Sequence, residues 1–274
     1  VGAALQMGRL QASQGELILH GQQLIQGAHL AGGLTGIGGS SGIGGIGLSA
    51  VAEIFASRRY TVSGSDMKMS EMTEHLQSRG ITVYEGHSAE NIKGADLIVY
   101  SAAVSLENPE ITQAQKNGIP TVTRAEALGA LMEDYPSSIA VSGTHGKTTT
   151  TSMVSLILEN AKTDPTILVG GNLHEFGGNV KIGKSDLFVT EACEYMDSFL
   201  SLRLKMEIIL NIDSDHLDYF KDIDHIVDSF DKFAKLVPEN GCIIAYEANP
   251  FVNKVISDAG CHPSLPDQPM QRMI

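Results

Sequence analysis

Ser142-Gly143-Thr144-His145-Gly146-Lys147-Thr148-Thr149-Thr150-Thr151 is the stretch that decides the fold class. An apolar run, Ser138-Ile139-Ala140-Val141, precedes it, and Met153-Val154-Ser155-Leu156-Ile157-Leu158 follows with apolar residues at helical spacing. The order is strand, glycine loop, helix. Such a loop aims backbone N–H groups and a helix N-terminus at one point, which suits phosphate. Lys147 adds a point charge at the β/γ-phosphates, and the Thr148 hydroxyl is placed to ligate Mg²⁺. The pattern is a shortened G-x-x-G-K-T, because Val141 stands where the longer P-loop pattern has glycine. Short glycine motifs also occur in ordinary turns; the strand before and the helix after weigh against that here. His145, inside the loop, either touches phosphate or caps the helix.

Downstream, Asp186-Leu187-Phe188-Val189-Thr190 reads as a buried strand with Glu191 at its carboxyl end. Met206-Glu207-Ile208-Ile209-Leu210 is another, running into Asn211-Ile212-Asp213-Ser214-Asp215-His216-Leu217-Asp218. Open α/β sheets gather ligands at the carboxyl ends of their strands. Glu191 and His216 are therefore expected to converge on the phosphate that Lys147 holds. A carboxylate is a hard ligand for Mg²⁺, and histidine a poorer one. Either residue alone reads as a solvated loop side chain; it is their joint placement that points to function. Asp213, Asp215 and Asp218 are ligands, a supporting layer, or simply a charged turn. Helix 223–236 carries an ordinary core-facing stripe, in which Phe230 and Phe233 pack. Strand Cys242-Ile243-Ile244-Ala245-Tyr246 follows a Pro238-Glu239-Asn240-Gly241 turn.

Upstream, a glycine motif is doubled: Gly36-Ile37-Gly38-Gly39-Ser40-Ser41, then Gly42-Ile43-Gly44-Gly45-Ile46-Gly47. The second copy enters an amphipathic helix, Leu48 to Phe55. Gly42, Gly44 and Gly47 fit G-x-G-x-x-G, a tight turn that lets a pyrophosphate approach the backbone. Tyr60 to Asp66 is a strand ending in an acid, and Asp66 lies 19 residues after Gly47, near the spacing at which an acid meets a ribose. His29 to Thr35 is a poor first strand, so a glycine-rich linker rivals it over residues 29–41. Beyond Asp66 the pattern alternates: helix 69–79, strand 81–84, strand 96–100, a helix from Asn108-Pro109 to Lys116 stopped by Asn117-Gly118, strand 119–122 and helix 124–133. This βαβα order predicts a parallel sheet covered by helices. Asp134-Tyr135-Pro136-Ser137 is the natural junction before the second unit.

The 274 residues are 42% hydrophobic, enough for a sizeable core. A net charge of −13 argues against a nucleic-acid-binding surface. No apolar run approaches the length of a membrane span, and no secretory signal pattern opens the chain, so no membrane insertion is expected. Cys193, Cys242 and Cys261 are too scattered for a metal site, which favours a reduced, cytoplasmic setting. Residues 1–35 read as an extension, with Leu17-Ile18-Leu19 at most a short strand. The pattern fails after residue 258, where prolines fall at 263, 266 and 269.

Taken in order, Gly42 to Ser49, Ser63-Gly64-Ser65-Asp66, Gly143 to Thr149, Glu191-Ala192-Cys193-Glu194 and Asn211 to Tyr219 make the chain resemble the Mur ligases over roughly residues 42–257. The resemblance implies a Rossmann-like UDP-substrate domain (36–135) and a P-loop-type α/β ATPase domain (136–274, its tail 258–274 unmatched) after an unmatched extension (1–35); the family's third, C-terminal ligase domain is expected to be absent from these residues. It implies an ATP- and Mg²⁺-dependent ligase in peptidoglycan precursor synthesis that joins L-alanine to the carboxylate of UDP-N-acetylmuramate through an acyl phosphate.

Carried over by position, Gly143, Thr144, His145, Gly146, Lys147, Thr148 and Thr149 resemble the ATP site. Thr148, Glu191 and His216 resemble the metal ligands, and Lys147, Glu191 and His216 the catalytic set. Gly44, Gly45 and Gly47 resemble the loop over the UDP diphosphate, with Ser65 and Asp66 on the uridine side. Lys181 stands where the family pattern leads one to expect arginine, and the chain reads as part of a longer ligase. The alternatives are a ligase attaching a preformed peptide to the same UDP sugar, a catalytically incomplete nucleotide-binding module, and a plain P-loop ATPase or kinase.

Overall fold

The computed structural model describes residues 33–37, 42–101, 104–246 and 248–258. The strand considered at Leu17-Leu19, the first glycine copy from Gly38 to Ser41 and the proline-bearing tail lie outside these residues.

The first sheet contains β1 (Gly33–Ile37), β2 (Thr61–Asp66), β3 (Thr82–Glu85), β4 (Ala95–Tyr100) and β5 (Thr121–Thr123) in the order β3-β2-β1-β4-β5. Every pairing in it is parallel. Its helices are α1 (Ile46–Ser57), α2 (Glu71–Ser78), α3 (Pro109–Asn117) and α4 (Arg124–Met132). Local chemistry sets their ends. Ser70 and Thr73 form a reciprocal capping box on α2, and Thr123 and Glu126 form one on α4. Asn108 caps α3, Pro109 opens it, and Gly118 at φ 69° closes it in the left-handed region.

The linker reading fails for Gly33–Ile37, which is the central strand of this sheet and pairs with β2 on one side and β4 on the other. Two flanking ladders satisfy its backbone, so pairing outweighs the poor strand propensity of Gly-Leu-Thr-Gly-Ile. The strand also straddles the boundary drawn at residue 35.

The second sheet has the order β11-β10-β6-β9-β7-β8, from β6 (Ser137–Ser142), β7 (Thr166–Leu173), β8 (Gly178–Lys181), β9 (Leu187–Glu191), β10 (Met206–Ile209) and β11 (Cys242–Ala245). Only β7–β8 is antiparallel among its pairings. With it come α5 (Lys147–Asn160), α6 (Ile223–Ala234) and α7 (Pro250–Asp258). Neither β7, β8 nor α7 has a counterpart in the sequence reading.

One hydrophobic cluster runs through both units, from Ile54, Phe55 and Leu76 to Phe188, Phe199, Phe230 and Phe233. Phe199 lies in a short 3₁₀ segment, Tyr195–Ser201, and stacks on Phe233 of α6 with centroids 4.3 Å apart. α4 packs against that same segment. A Cβ on Gly129 would sit 1.9 Å from the Ser201 carbonyl oxygen, so only glycine permits the approach. The buried Asn179 of β8 donates to the Ile46 carbonyl of α1 at 2.5 Å, a second tie between the units.

Candidate functional site

β6 ends at Ser142, and the loop to α5 turns on Gly143 (φ 132°) and Gly146 (φ 88°), angles that favour glycine. Asn211, just past β10, holds the loop in place. Its carbonyl accepts from Thr144 N at 3.1 Å. Its side chain accepts from His145 N at 2.9 Å and donates to His145 O at 3.0 Å. Gly146 is the N-cap of α5 and offers no side-chain cap, so His145 does not occupy the capping position. The first N–H groups of a helix have no acceptor within it, and here no N-cap side chain takes one. The loop thus presents donors, with the positive end of the helix behind them.

Lys147 reaches back over this loop. Its Nζ donates to Gly143 O at 2.6 Å and pairs with Glu194 at 2.8 Å, the carboxylate being only 2% exposed. Glu194 also lies 3.8 Å from His216 Nε2. The Thr148 hydroxyl donates to Glu191 Oε2 at 3.1 Å, and the other oxygen of Glu191 accepts from Gly170 N at 2.6 Å. A Cβ on Gly170 would lie 2.8 Å from Glu191 Oε2, so glycine at that point of β7 makes room for the carboxylate.

The structure therefore brings Lys147, Thr148 and Glu191 to the mouth of one loop. His216 is set beside Glu194 and the Tyr195 ring, whose centroid lies 4.8 Å from that of the imidazole. No group of three or more His, Cys, Asp or Glu arranged to hold a metal occurs among the described residues. Asp213 accepts from Ser214 N, Asp215 from His216 N and Asp218 from the hydroxyl of Tyr195. Sequence reasoning missed the roles of Glu194 and Asn211 in shaping the loop, although both lie within the quoted motifs.

In the first unit the glycine turn folds onto the end of β2. Ile43 N donates to Ser65 O at 3.0 Å, and Gly44 N donates to Asp66 Oδ2 at 3.0 Å. Gly45 is the N-cap of α1 and has no side-chain cap, leaving that helix start open as well. Asp66 thus braces the glycine turn. The Ser65 hydroxyl is fully buried; it donates to Glu110 at 2.7 Å and contacts His87 Nδ1 at 2.9 Å.

The two helix starts open on one cavity of about 330 Å³. Ile46, Gly47 and Arg124 line it from the first unit, and Lys147, Gly170 and Glu191 from the second. Burial holds the pKa of Cys193, also in its wall, above the ordinary thiol value. Cys193 and Cys242 are free thiols, and no helix among the described residues is long and apolar enough to cross a membrane.

Comparison with known proteins identifies the family. The family model described as "Mur ligase family, catalytic domain" matches residues 40–136, and "Mur ligase middle domain" matches 141–264. A UDP-N-acetylmuramate–L-alanine ligase of Acetivibrio thermocellus is 53% identical over 217 residues, covering 79% of this chain and 46% of that protein. One from Alkaliphilus metalliredigens is also 53% identical, covering 79% and 47%. The crystal structure of the Thermotoga maritima UDP-N-acetylmuramate–alanine ligase superposes with a TM-score of 0.71 at 29% identity, covering 81% of this chain and 50% of that one. The Neisseria meningitides ligase of UDP-N-acetylmuramate and L-alanyl-γ-D-glutamyl-meso-diaminopimelate superposes at 0.74 and 29%, covering 84% and 75%. The chain spans about half the length of the curated relatives it matches. With two successive family models matched and an α/β unit under each, the chain belongs to the Mur ligase family.

Proposed function

We propose that this chain carries the acceptor-binding and ATP-binding parts of a ligase that joins L-alanine to the carboxylate of UDP-N-acetylmuramate, in peptidoglycan precursor synthesis. The observation that carries the reading is the single cavity shared by the glycine turn of the first unit and Lys147 and Glu191 of the second. The first unit, residues 36–135 with the start of β1 added, takes the UDP substrate. Its diphosphate lies on Gly44, Gly45 and Gly47 at the start of α1. The second unit, from residue 136, takes ATP on Gly143 to Thr149.

In the reaction a carboxylate oxygen of the acceptor attacks the γ-phosphorus, and the bond to the β–γ bridging oxygen breaks, releasing ADP. The L-alanine amine then attacks the carbonyl carbon and gives up a proton, and phosphate leaves. The attacking carboxylate and the phosphate groups are all anionic. Lys147 and the N–H groups of α5 stabilise charge already positioned for them, the dominant form of catalysis in phosphoryl transfer. Thr148 Oγ1 and Glu191 Oε2, 3.1 Å apart, are two hard oxygens. Mg²⁺ needs only one or two protein ligands beside phosphate oxygens and water, so this pair fits it. Bound there, the ion would neutralise β/γ charge. His216, beside Glu194, is the proposed ligand of a second ion. A nucleotide substrate and free thiols accord with a cytoplasmic setting.

A second reading, attachment of a preformed peptide to the same UDP sugar, is favoured by the likeness to the Neisseria ligase. The 53% identity to alanine-adding relatives supports the first. Calorimetric titration tests the shared core of both readings. The chain is expected to bind one UDP-N-acetylmuramate and one Mg·AMP-PNP, at separate sites. Nucleotide binding without any binding of the UDP sugar would instead favour a plain P-loop ATPase.

A further inference from the structure

Arg124 is the first residue of α4, immediately after the carboxyl end of edge strand β5. The Thr123–Glu126 capping box fixes the start of that helix, and with it the direction in which the side chain leaves. The side chain lies across Gly47. A Cβ built there would be 3.0 Å from Arg124 Cδ, 3.1 Å from Nε and 3.2 Å from Nη1. The third glycine of the turn therefore has a use besides close approach of a pyrophosphate: it leaves room for a guanidinium.

The guanidinium lines the cavity that also holds Lys147 and Glu191. Among the described residues it makes no hydrogen bond and no salt bridge; the group that acts on its charge is the nearby Cys193 thiol, which burial keeps protonated. Burial lowers its pKa, yet a guanidinium stays charged under any ordinary condition. A half-buried cation without an ion pair favours a ligand that supplies its counter-charge. Lys147, the other cavity cation, is already paired with Glu194.

We propose that Arg124 binds the carboxylate of the acceptor substrate and holds it facing the γ-phosphate on Lys147. The proposal rests on the reading given under Proposed function. The planar fork of arginine matches a carboxylate with two parallel hydrogen bonds, which fixes orientation as well as position. A diphosphate has other donors, at the start of α1; the γ-phosphate has Lys147 and the start of α5. The carboxylate is the anion left without a partner, and Arg124 is the cation left without one. Bound in this way, Arg124 touches the reacting group and sets which oxygen faces phosphorus, a positioning effect to which rates are acutely sensitive.

The test compares UDP-N-acetylmuramate with UDP-N-acetylglucosamine, which has the same nucleotide and sugar but no carboxylate. Calorimetry on the whole chain would measure both, with Mg·AMP-PNP as a third ligand, for wild type, Arg124→Met and Arg124→Lys. The Met variant is expected to bind UDP-N-acetylmuramate about tenfold to a hundredfold more weakly, the loss typical of a charge-assisted contact. Its affinities for UDP-N-acetylglucosamine and Mg·AMP-PNP are expected to stay as in wild type. Arg124→Lys, which keeps charge and stem but loses the fork, should fall between; it carries the comparison if the Met variant does not fold. Equal losses for both sugars would assign Arg124 to the diphosphate. A loss confined to the nucleotide would assign it to the γ-phosphate, and no loss at all would make it packing for Gly47. Each of these overturns the proposal while leaving the proposed function standing. A wild-type chain that binds neither sugar would overturn that reading, and this inference with it.

Discussion

Lys147 has two roles that pull on one side chain. It faces the phosphate loop, and it neutralises a carboxylate, Glu194, that is 2% exposed. Lys147→Ala is therefore expected to weaken Mg·AMP-PNP binding at least about tenfold and also to cost roughly 1–3 kcal/mol of stability, because Glu194 is left buried without its cation. Denaturant titration beside calorimetry separates the two effects, and Lys147→Ala/Glu194→Gln should recover stability without recovering nucleotide affinity. Glu191 answers to a different variable. Glu191→Ala should weaken nucleotide binding in Mg²⁺ much more than in EDTA, since its proposed partner is the ion; equal losses would remove it from the metal site. Position in sequence made both residues legible. Glu194 and Arg124 were not legible as site residues, because a carboxylate three residues past a strand end and an arginine opening a helix both read as ordinary surface charges. Only the fold puts one under Lys147 and the other against Gly47.

At the scale of elements, β10 carries the least expected feature. Glu207 is fully buried beside β6, its Oε1 accepting from the Ser142 hydroxyl at 3.0 Å, while Oε2 has no partner. Burial pushes its pKa up to about 8, from 4.5. The folded chain thus keeps a proton that the unfolded chain releases above pH 4.5. Stability should fall as pH rises from there towards 8 and level off once both states are ionised, by at most roughly 1.4 kcal/mol per pH unit. Glu207→Gln should flatten that slope and melt higher than wild type near pH 8; an unchanged profile would mean that Glu207 is ionised inside the fold. The apolar run that marks β10 as a strand in the sequence hides this acid, since a lone polar position in a strand normally faces solvent. Other elements were written plainly: Pro109 and Gly118 bracket α3, and the run before Gly143 gives β6. β1 was not, because its strand character comes from two neighbours rather than from Gly-Leu-Thr-Gly-Ile itself. β7 was obscured by Gly170-Gly171, residues that weaken a strand signal; the first makes room for the Glu191 carboxylate, while the second lies against the Thr148 methyl.

At the scale of the molecule, the account depends on two units meeting along one cavity. Gly129 is a point of closest approach, and Gly129→Ala separates local from global effects. Alanine favours a helix by about 1 kcal/mol over glycine, yet its Cβ would fall 1.9 Å from the Ser201 carbonyl oxygen. A net loss of roughly 1–3 kcal/mol is expected from overpacking, read by denaturant titration; a gain would mean that the units do not pack as described. The sequence announced the two units but not their contact, because long-range packing leaves no periodic trace. On the proposed reading, that contact brings a carboxylate held by the first unit within reach of a γ-phosphate held by the second. The most direct measurement is the relaxation of UDP-N-acetylmuramate protons by Mn²⁺ replacing Mg²⁺, in the complex with AMP-PNP. The account predicts that the lactyl protons, next to the carboxylate, relax far faster than the uracil protons, and that Glu191→Ala removes the difference. Equal relaxation of lactyl and uracil protons, with both ligands bound, would contradict it.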